Sequence, residues 1–131
     1  MNDYEVIKGG VTAAKGYRAA GVQAGIKYSR PDMAMVVSDK AAVIAGTFTR
    51  NKIQGAHVKL CRERLIARKA QAIVVNSGCA NACVGAQGMH DSVKMAKIGG
   101  SSLRISEKLV FVCSTGTIGI PLQMDKIEKG I

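Results

Sequence analysis

The stretch from Lys108 to Gly119, Lys-Leu-Val-Phe-Val-Cys-Ser-Thr-Gly-Thr-Ile-Gly, constrains the rest of the chain most. Its first half, Leu109 to Cys113, is an unbroken apolar run rich in β-branched and aromatic residues. That is the pattern of a strand buried on both faces. Its second half, Ser114 to Gly119, turns abruptly to small hydroxyl residues and glycines. A buried strand that runs into Ser-Thr-Gly brings backbone N–H groups and a hydroxyl to the lip of a sheet. Gly116 carries no Cβ to hold a ligand off the backbone there. This is the chemistry of an anion or oxyanion cradle. It is equally the chemistry of a tight strand-to-loop turn with glycine at positive φ.

Composition limits what can surround that strand. The 131 residues suit one domain, 1–131, and only 4% are aromatic with no Trp, so the core must be built from Ala, Val, Ile, Leu and Met. Fifteen glycines against two prolines imply many tight turns and no Pro-rich linker. The net charge of +10 admits nucleic acid, an anionic membrane, an anionic substrate or an acidic partner chain. The basic residues are dispersed, however. Their densest patch, Arg62 to Lys69, has no interleaved aromatics for base stacking and reads as a solvated helix face. The cysteines, Cys61, Cys79, Cys83 and Cys113, form no C-x-x-C pair. Cys79 and Cys83, with His90 downstream, lack the second tight pair of a zinc site, so no metal and no cofactor is expected. Met1 to Ile7 contains Asp3 and Glu5 and no apolar signal core, and no apolar run approaches the roughly 20 residues of a membrane helix. The expectation is a cytoplasmic protein, without membrane contact, whose thiols are free and mostly buried.

Taken in order, Lys8 to Ala14 reads as a glycine turn entering an edge strand, and Ala24 to Lys27 as the start of another. Ser29-Arg30-Pro31-Asp32 is a turn by composition. Met33–Ser38 and Ala42–Thr49 read as two strands joined at Asp39-Lys40, which predicts an antiparallel hairpin. His57 to Ala70 has Val58, Cys61 and Leu65 at helical spacing. Gln71 to Val75 is a second buried strand, and it too ends in small polar residues, Asn76-Ser77-Gly78-Cys79-Ala80-Asn81-Ala82-Cys83. Asp91 is a natural N-cap for a helix reaching Gly99. Pro121 suits the first turn of a last helix through Ile127, ended near Gly130. Mixed strand and helix alternation with an antiparallel part gives an α/β (α+β) layered fold.

Thr115 and Gly116 are the candidates for holding developing negative charge, through a hydroxyl and a backbone N–H. The chain offers no convincing nucleophile and base to go with them. His57 and His90 read as helix-start or surface residues, no Ser lies in a G-x-S-x-G elbow, and Cys113 reads as inert packing. The cradle therefore looks like half of a site. Asn76, Ser77 and Asn81 either tie down their own turn or touch substrate.

Several segments occur in one family's order: Gly10-Val11-Thr12-Ala13-Ala14-Lys15-Gly16-Tyr17, Val75 to Cys83, Ser114-Thr115-Gly116-Thr117-Ile118-Gly119, and Met124-Asp125-Lys126-Ile127. Together they resemble ornithine acetyltransferase, also called bifunctional glutamate N-acetyltransferase, of arginine biosynthesis. The resemblance implies a precursor that cuts itself before a Thr, which becomes the N-terminal nucleophile of a β chain. It implies transfer of an acetyl group from N-acetylornithine to that Thr and then to glutamate, some members also accepting acetyl-CoA as co-substrate. An N-terminal Thr can use its own amine as base. The family's oxyanion pair matches Thr115 and Gly116. The implied fold is a layered sandwich of mixed sheet and flanking helices like that of N-terminal-nucleophile hydrolases, and the implied assembly is a heterotetramer of two α and two β chains. Two departures stand out. Cys79 replaces a common Asn, and the sequence ends at Ile131 without the cleavage-site Thr or the family's later substrate-binding Thr and Lys residues. The expectation is an α-chain portion, incomplete at its C-terminal end, whose substrate-binding residues within this chain are unknown. The competing expectation from charge alone is a basic nucleic-acid-binding α/β domain. A nucleotide-binding domain using Gly116 and Gly119 lacks the Walker lysine and a spaced G-x-G-x-x-G.

Overall fold

The computed structural model describes residues 4–131; Met1 to Asp3, with which the acidic start discussed above begins, lie outside the described residues. Four strands form one sheet in the order β1 (Tyr17–Val22), β2 (Met33–Val43), β3 (Lys69–Cys79) and β4 (Val110–Thr117). The first three are antiparallel neighbours, whereas β3 and β4 run parallel. A parallel pair needs a crossover, and α2 (Gly85–Leu103) supplies it. The remaining helices are α1 (Ala56–Arg64) and α3 (Met124–Gly130). The expected mixed sheet with flanking helices is therefore present.

Alternation along the strands decides which face the helices cover. Ala70, Ala72, Val74 and Asn76 of β3 are buried, and their register partners Val110, Val112 and Ser114 of β4 are buried with them. Helix α2 packs on that face through Met95, Ala96, Gly99 and Gly100, spaced at helical intervals. Gly99 lets the helix axis approach closely, because a Cβ there would lie 3.0 Å from Val74 Cγ2 and 3.3 Å from Val110 Cγ1. The opposite face carries Ile73, Val75, Phe111, Cys113 and Thr115; Phe111 is buried there, while Cys113 and Thr115 are uncovered. Ile73 is 39% exposed. Apolar side chains on a parallel strand pair are ordinarily covered on both sides, and here this face is open towards its Cys113–Thr115 end.

Helix α1 seals the outer edge of β4. The Cys61 thiol donates to the Val112 carbonyl at 3.2 Å and accepts the Val112 N–H at 3.4 Å. Burial pushes the Cys61 pKa up, which keeps the thiol protonated and able to donate. Arg64 donates to the carbonyls of Glu107 and Val110. These contacts satisfy strand groups that no fifth strand pairs.

Several boundaries differ from those the sequence suggests. No hairpin turn forms at Asp39-Lys40; β2 runs through it as one strand, with the register shifting between Val37 and Ala42. The extra residues bulge, while Asp39 donates its N–H to the Gly16 carbonyl and pairs with Arg18. Residues 44–49 form no strand. Val11–Ala13 is a single 3-10 turn rather than an edge strand, and 24–27 is a loop. Helix α2 begins six residues before Asp91, which lies buried inside it and accepts from Gln87 Nε2 at 2.7 Å. It also continues through Gly99-Gly100 to Leu103. Pro121 precedes α3 by a few residues instead of opening it. Cys113 is exposed, not packed, and only Cys61 and Cys79 of the four thiols are buried.

Candidate active site

The C-terminal ends of β3 and β4 lie side by side. In register, Asn76 faces Ser114, Ser77 faces Thr115 and Gly78 faces Gly116. The segment Asn76–Cys79 expected as a turn is therefore strand, held in the ladder by its neighbour. Thr115 and Gly116 are adjacent and exposed at the bare end of β4. Val112 sends both its backbone groups outward to Cys61, and Thr117 accepts the Ala80 N–H from the β3 side at 2.9 Å. Alternation along the strand then turns the Gly116 N–H outward, away from β3. A hydroxyl on the uncovered face and an amide on the free edge thus sit on consecutive residues.

The requirement for glycine at 116 differs from the one its neighbourhood suggests. Gly116 has φ +128°, and a Cβ would lie 2.3 Å from the Gly78 carbonyl carbon and 2.4 Å from its oxygen. The missing side chain makes room for the neighbouring strand rather than for a ligand. Gly78 also has φ +128°, and its own Cβ position is taken up by Ile26 Cγ2 at 2.6 Å. The two backbones interlock at the site.

Three loops brace this end. Ala56 at the start of α1 donates to the Asn81 carbonyl at 3.0 Å, and Gly119 donates to the Ala82 carbonyl at 2.9 Å. Ser77 donates its N–H to the Asp32 carbonyl at 2.8 Å. The Asp32 carboxylate is buried, and it accepts the Ala24 N–H at 2.7 Å and the Lys27 N–H at 2.8 Å. Burial raises its pKa, but the amides of Lys27, Ala24, Ile26 and Gly25 together outweigh burial and hold it below the usual carboxylate range. Asp32 is the residue that sequence reasoning missed. An aspartate after proline reads as a generic turn, and nothing local says that its carbonyl reaches Ser77.

The other candidates separate clearly. Asn76 is fully buried and donates to the Cys79 carbonyl at 3.0 Å. Asn81, also fully buried, donates to the Gly88 carbonyl at 3.0 Å and to Ser92 Oγ at 2.8 Å. Both tie down backbone and neither is open to a ligand. Ser77 is half-buried on the uncovered face. His90 is largely exposed beside Asp91 on α2. His57 is the second residue of α1 and its Nδ1 is enclosed without a partner among the described residues.

Burial lowers the His57 pKa. Its folded pKa therefore lies below its unfolded value of about 6.5. On acidification the unfolded chain takes up this proton first, so the contribution is constant above about pH 6.5 and is lost below it. Urea midpoints measured down the pH scale should fall through that region. His57→Gln should flatten the slope; an unchanged slope contradicts the assignment.

The pattern describing the ArgJ family matches residues 18–131. The arginine biosynthesis bifunctional protein ArgJ of Caldanaerobacter subterraneus subsp. tengcongensis is 49% identical over 127 residues, covering 97% of this chain and 32% of that protein. ArgJ 1 of Nostoc sp. is 46% identical over 133 residues, covering 100% of this chain and again 32% of the relative. The chain thus spans about a third of the length of the curated relatives it matches. Among solved structures, the arginine biosynthesis bifunctional protein argJ of Bacillus halodurans superposes with a TM-score of 0.91 at 42% identity, over 93% of this chain and 64% of that one. Ornithine acetyltransferase of Mycobacterium tuberculosis, crystallised with ornithine, gives 0.90 at 41% identity, over 92% and 66%. These likenesses carry the N-terminal-nucleophile-hydrolase-like layering that the sequence led us to expect.

Proposed function

The chain belongs to the ArgJ family, and on that premise we propose that it is the α-chain part of a glutamate N-acetyltransferase/ornithine acetyltransferase of arginine biosynthesis. The reaction moves an acetyl group from N-acetylornithine to glutamate through an ester on a companion chain, with acetyl-CoA as a possible second donor. Thr115 and Gly116 form the oxyanion hole. The observation that carries this is the exposed Thr115–Gly116 pair, presented at the end of a strand whose backbone is otherwise interlocked and braced.

The companion's leading Thr attacks the acetyl carbonyl, and its own α-amine takes the hydroxyl proton. A C–O bond forms and negative charge appears on the carbonyl oxygen. The Thr115 hydroxyl and the Gly116 N–H donate to that oxygen. The intermediate collapses, the C–N bond breaks, and the ornithine amine leaves with the proton. The glutamate amine then attacks the ester, the charge returns to the same two donors, and N-acetylglutamate departs as the Thr hydroxyl is restored.

Two facts support the companion. The uncovered sheet face is apolar at Ile73 and Val75 and ends at Thr115. The relatives are about three times as long as this chain. We assign the second layer to the β chain of the same precursor, two of each chain forming a heterotetramer in the cytoplasm. No described helix is long and apolar enough to cross a membrane. A nucleic-acid-binding role is not favoured, because the family match covers the chain that carries the charge.

Incubation of the co-expressed chains with N-acetylornithine in the absence of glutamate tests the reading. Mass spectrometry should find one added acetyl group on the leading Thr of the companion and none on this chain. Acetylation of this chain instead, or turnover without any acylated Thr, would overturn it.

A further inference from the structure

Asn76 and Ser114 are register partners in the parallel β3–β4 ladder, so their side chains leave the sheet on the same face, the one that α2 covers. Both residues are buried, Asn76 fully. Asn76 Oδ1 and Ser114 Oγ are enclosed, and neither has a hydrogen-bond partner among the described residues. The Asn76 amide nitrogen is already engaged, donating to the Cys79 carbonyl at 3.0 Å. Its oxygen is left as an acceptor, and the hydroxyl opposite is left as a donor. An enclosed polar atom without a partner costs the fold more than a typical hydrogen bond returns. Two such atoms set opposite each other point to something shared between them.

The spacing limits what can be shared. Neighbouring strands stand about 4.8 Å apart. Two hydrogen bonds of about 2.8 Å that meet near a tetrahedral angle span about 4.6 Å. One water molecule at the apex accepts from the Ser114 hydroxyl and donates to Asn76 Oδ1, which gives it two of the two to four partners an internal water takes. A hard cation takes about six to eight oxygens, whereas this pair offers two neutral ones. An anion would meet the Asn76 oxygen, itself an acceptor. The other enclosed atoms without a partner among the described residues, His57 Nδ1 and Asn81 Oδ1, lie on α1 and on the loop before α2. No ladder sets either of them opposite a second polar side chain.

We propose that β3 and β4 hold one internal water between Asn76 Oδ1 and Ser114 Oγ. The water ties the two strands side chain to side chain, one residue before the Ser77–Thr115 pair. It lies on the helix side of the sheet, away from the face that the Thr115 hydroxyl leaves. The assignment therefore does not depend on the acyl-transfer reading. It gives the serine of Ser-Thr-Gly a task of its own, turned to the interior while Thr115 faces outward. Because both anchoring atoms are enclosed, the water exchanges with bulk solvent only when the strand ends open locally.

Two measurements on the protein purified together with its companion chain test this. A high-resolution crystal structure should show one ordered water within about 2.6–3.2 Å of both Asn76 Oδ1 and Ser114 Oγ. Oxygen-17 magnetic relaxation dispersion should count one fewer long-lived water in Ser114→Ala than in the wild type, because a water left with Asn76 alone has lost the second partner that held it. If Ser114 served packing alone, Ser114→Ala would lower the melting temperature and leave that count unchanged, so an equal count in the two proteins overturns the proposal. A direct hydrogen bond between the two side chains in the crystal overturns it as well. So does a density peak with about six oxygen ligands, as a cation would have. Should Ser114→Ala fail to assemble, the wild-type crystal structure decides by itself, since a bridging water there supports the proposal and its absence sinks it.

Discussion

Gly116→Ala will fail to fold or will accumulate only as insoluble chain, with no measurable acetyl transfer. The added methyl would be placed 2.3 Å from the Gly78 carbonyl carbon and 2.8 Å from the Cys79 nitrogen. Those atoms are backbone and cannot swing aside as a side chain would. The φ of +128° is a second cost, because L-residues with a Cβ rarely adopt it. Strain at such a backbone position costs of order 1–3 kcal/mol, and overpacking typically adds about 1–3 kcal/mol more. Together these come to about 2–6 kcal/mol, enough to exhaust the stability of a domain at the lower end of the usual range of about 5–15 kcal/mol. The strands can relieve the clash only by separating, and separation undoes the Ser77–Thr115 alignment. Soluble yield, circular dichroism and activity of the co-expressed complex check this. A soluble Gly116→Ala protein with normal turnover would mean that β3 and β4 do not approach as closely as described. Gly119→Ala offers a control at the same end: φ is +80° there, but no atom lies within 4 Å of the would-be Cβ. It pays for strain alone and should remain folded.

The contrast between what was and was not legible in the sequence follows the range of the interactions. Strand β4 could be read because five consecutive apolar residues are a local signal. The layered α+β class emerges from such runs and from the motif order, and the structure leaves Thr115 and Gly116 exposed at the end of β4. Where local chemistry competed with a distant partner, the partner won. Asn76-Ser77-Gly78 carries every mark of a turn, yet it pairs as strand because β4 runs beside it. Asp39-Lys40 looks like a hairpin tip, but Gly16 just before β1 and Arg18 on it hold Asp39 in an extended, bulged strand. Gly99-Gly100 looks like a helix end; Val74, Val110 and the backbone near Glu107 instead need a helix with no side chains at those points. Asp91 looks like an N-cap, but α2 starts six residues earlier at Gly85, without a side-chain cap.

Two residues that matter most to the site carry no local signal at all. Cys61 reads as one apolar position on a helix, and its real task is to cap both backbone groups of Val112, 51 residues away. Asp32 reads as a turn residue, and its carbonyl positions Ser77, 45 residues away along the chain. Both act through register, which exists only once the sheet has formed. The Gly116 requirement belongs to the same class. The sequence suggests glycine for a ligand's sake, whereas the close neighbour is Gly78.

Thr115→Ala should behave in the opposite way to Gly116→Ala. Thr115 is exposed and its hydroxyl has no partner among the described residues, so removing it should alter stability by no more than about 0.5 kcal/mol. The complex should assemble, and the companion should still present its leading Thr. The loss appears only when the carbonyl oxygen becomes charged. Removing one oxyanion donor typically costs about 10²–10³ in kcat, or roughly 2.7–4 kcal/mol of transition-state stabilisation. Because the uncharged substrate carbonyl is held weakly by the same hydroxyl, KM for N-acetylornithine should change little. In the proposed reaction both half-reactions pass through a charged oxygen at one place, so acylation of the Thr and transfer to glutamate should slow together. Thr115→Ser keeps the donor on the same strand position and should restore most of the rate. A raised KM with kcat intact would assign Thr115 to ground-state binding, and slowing of only one half-reaction would mean that the two intermediates do not share an oxyanion hole.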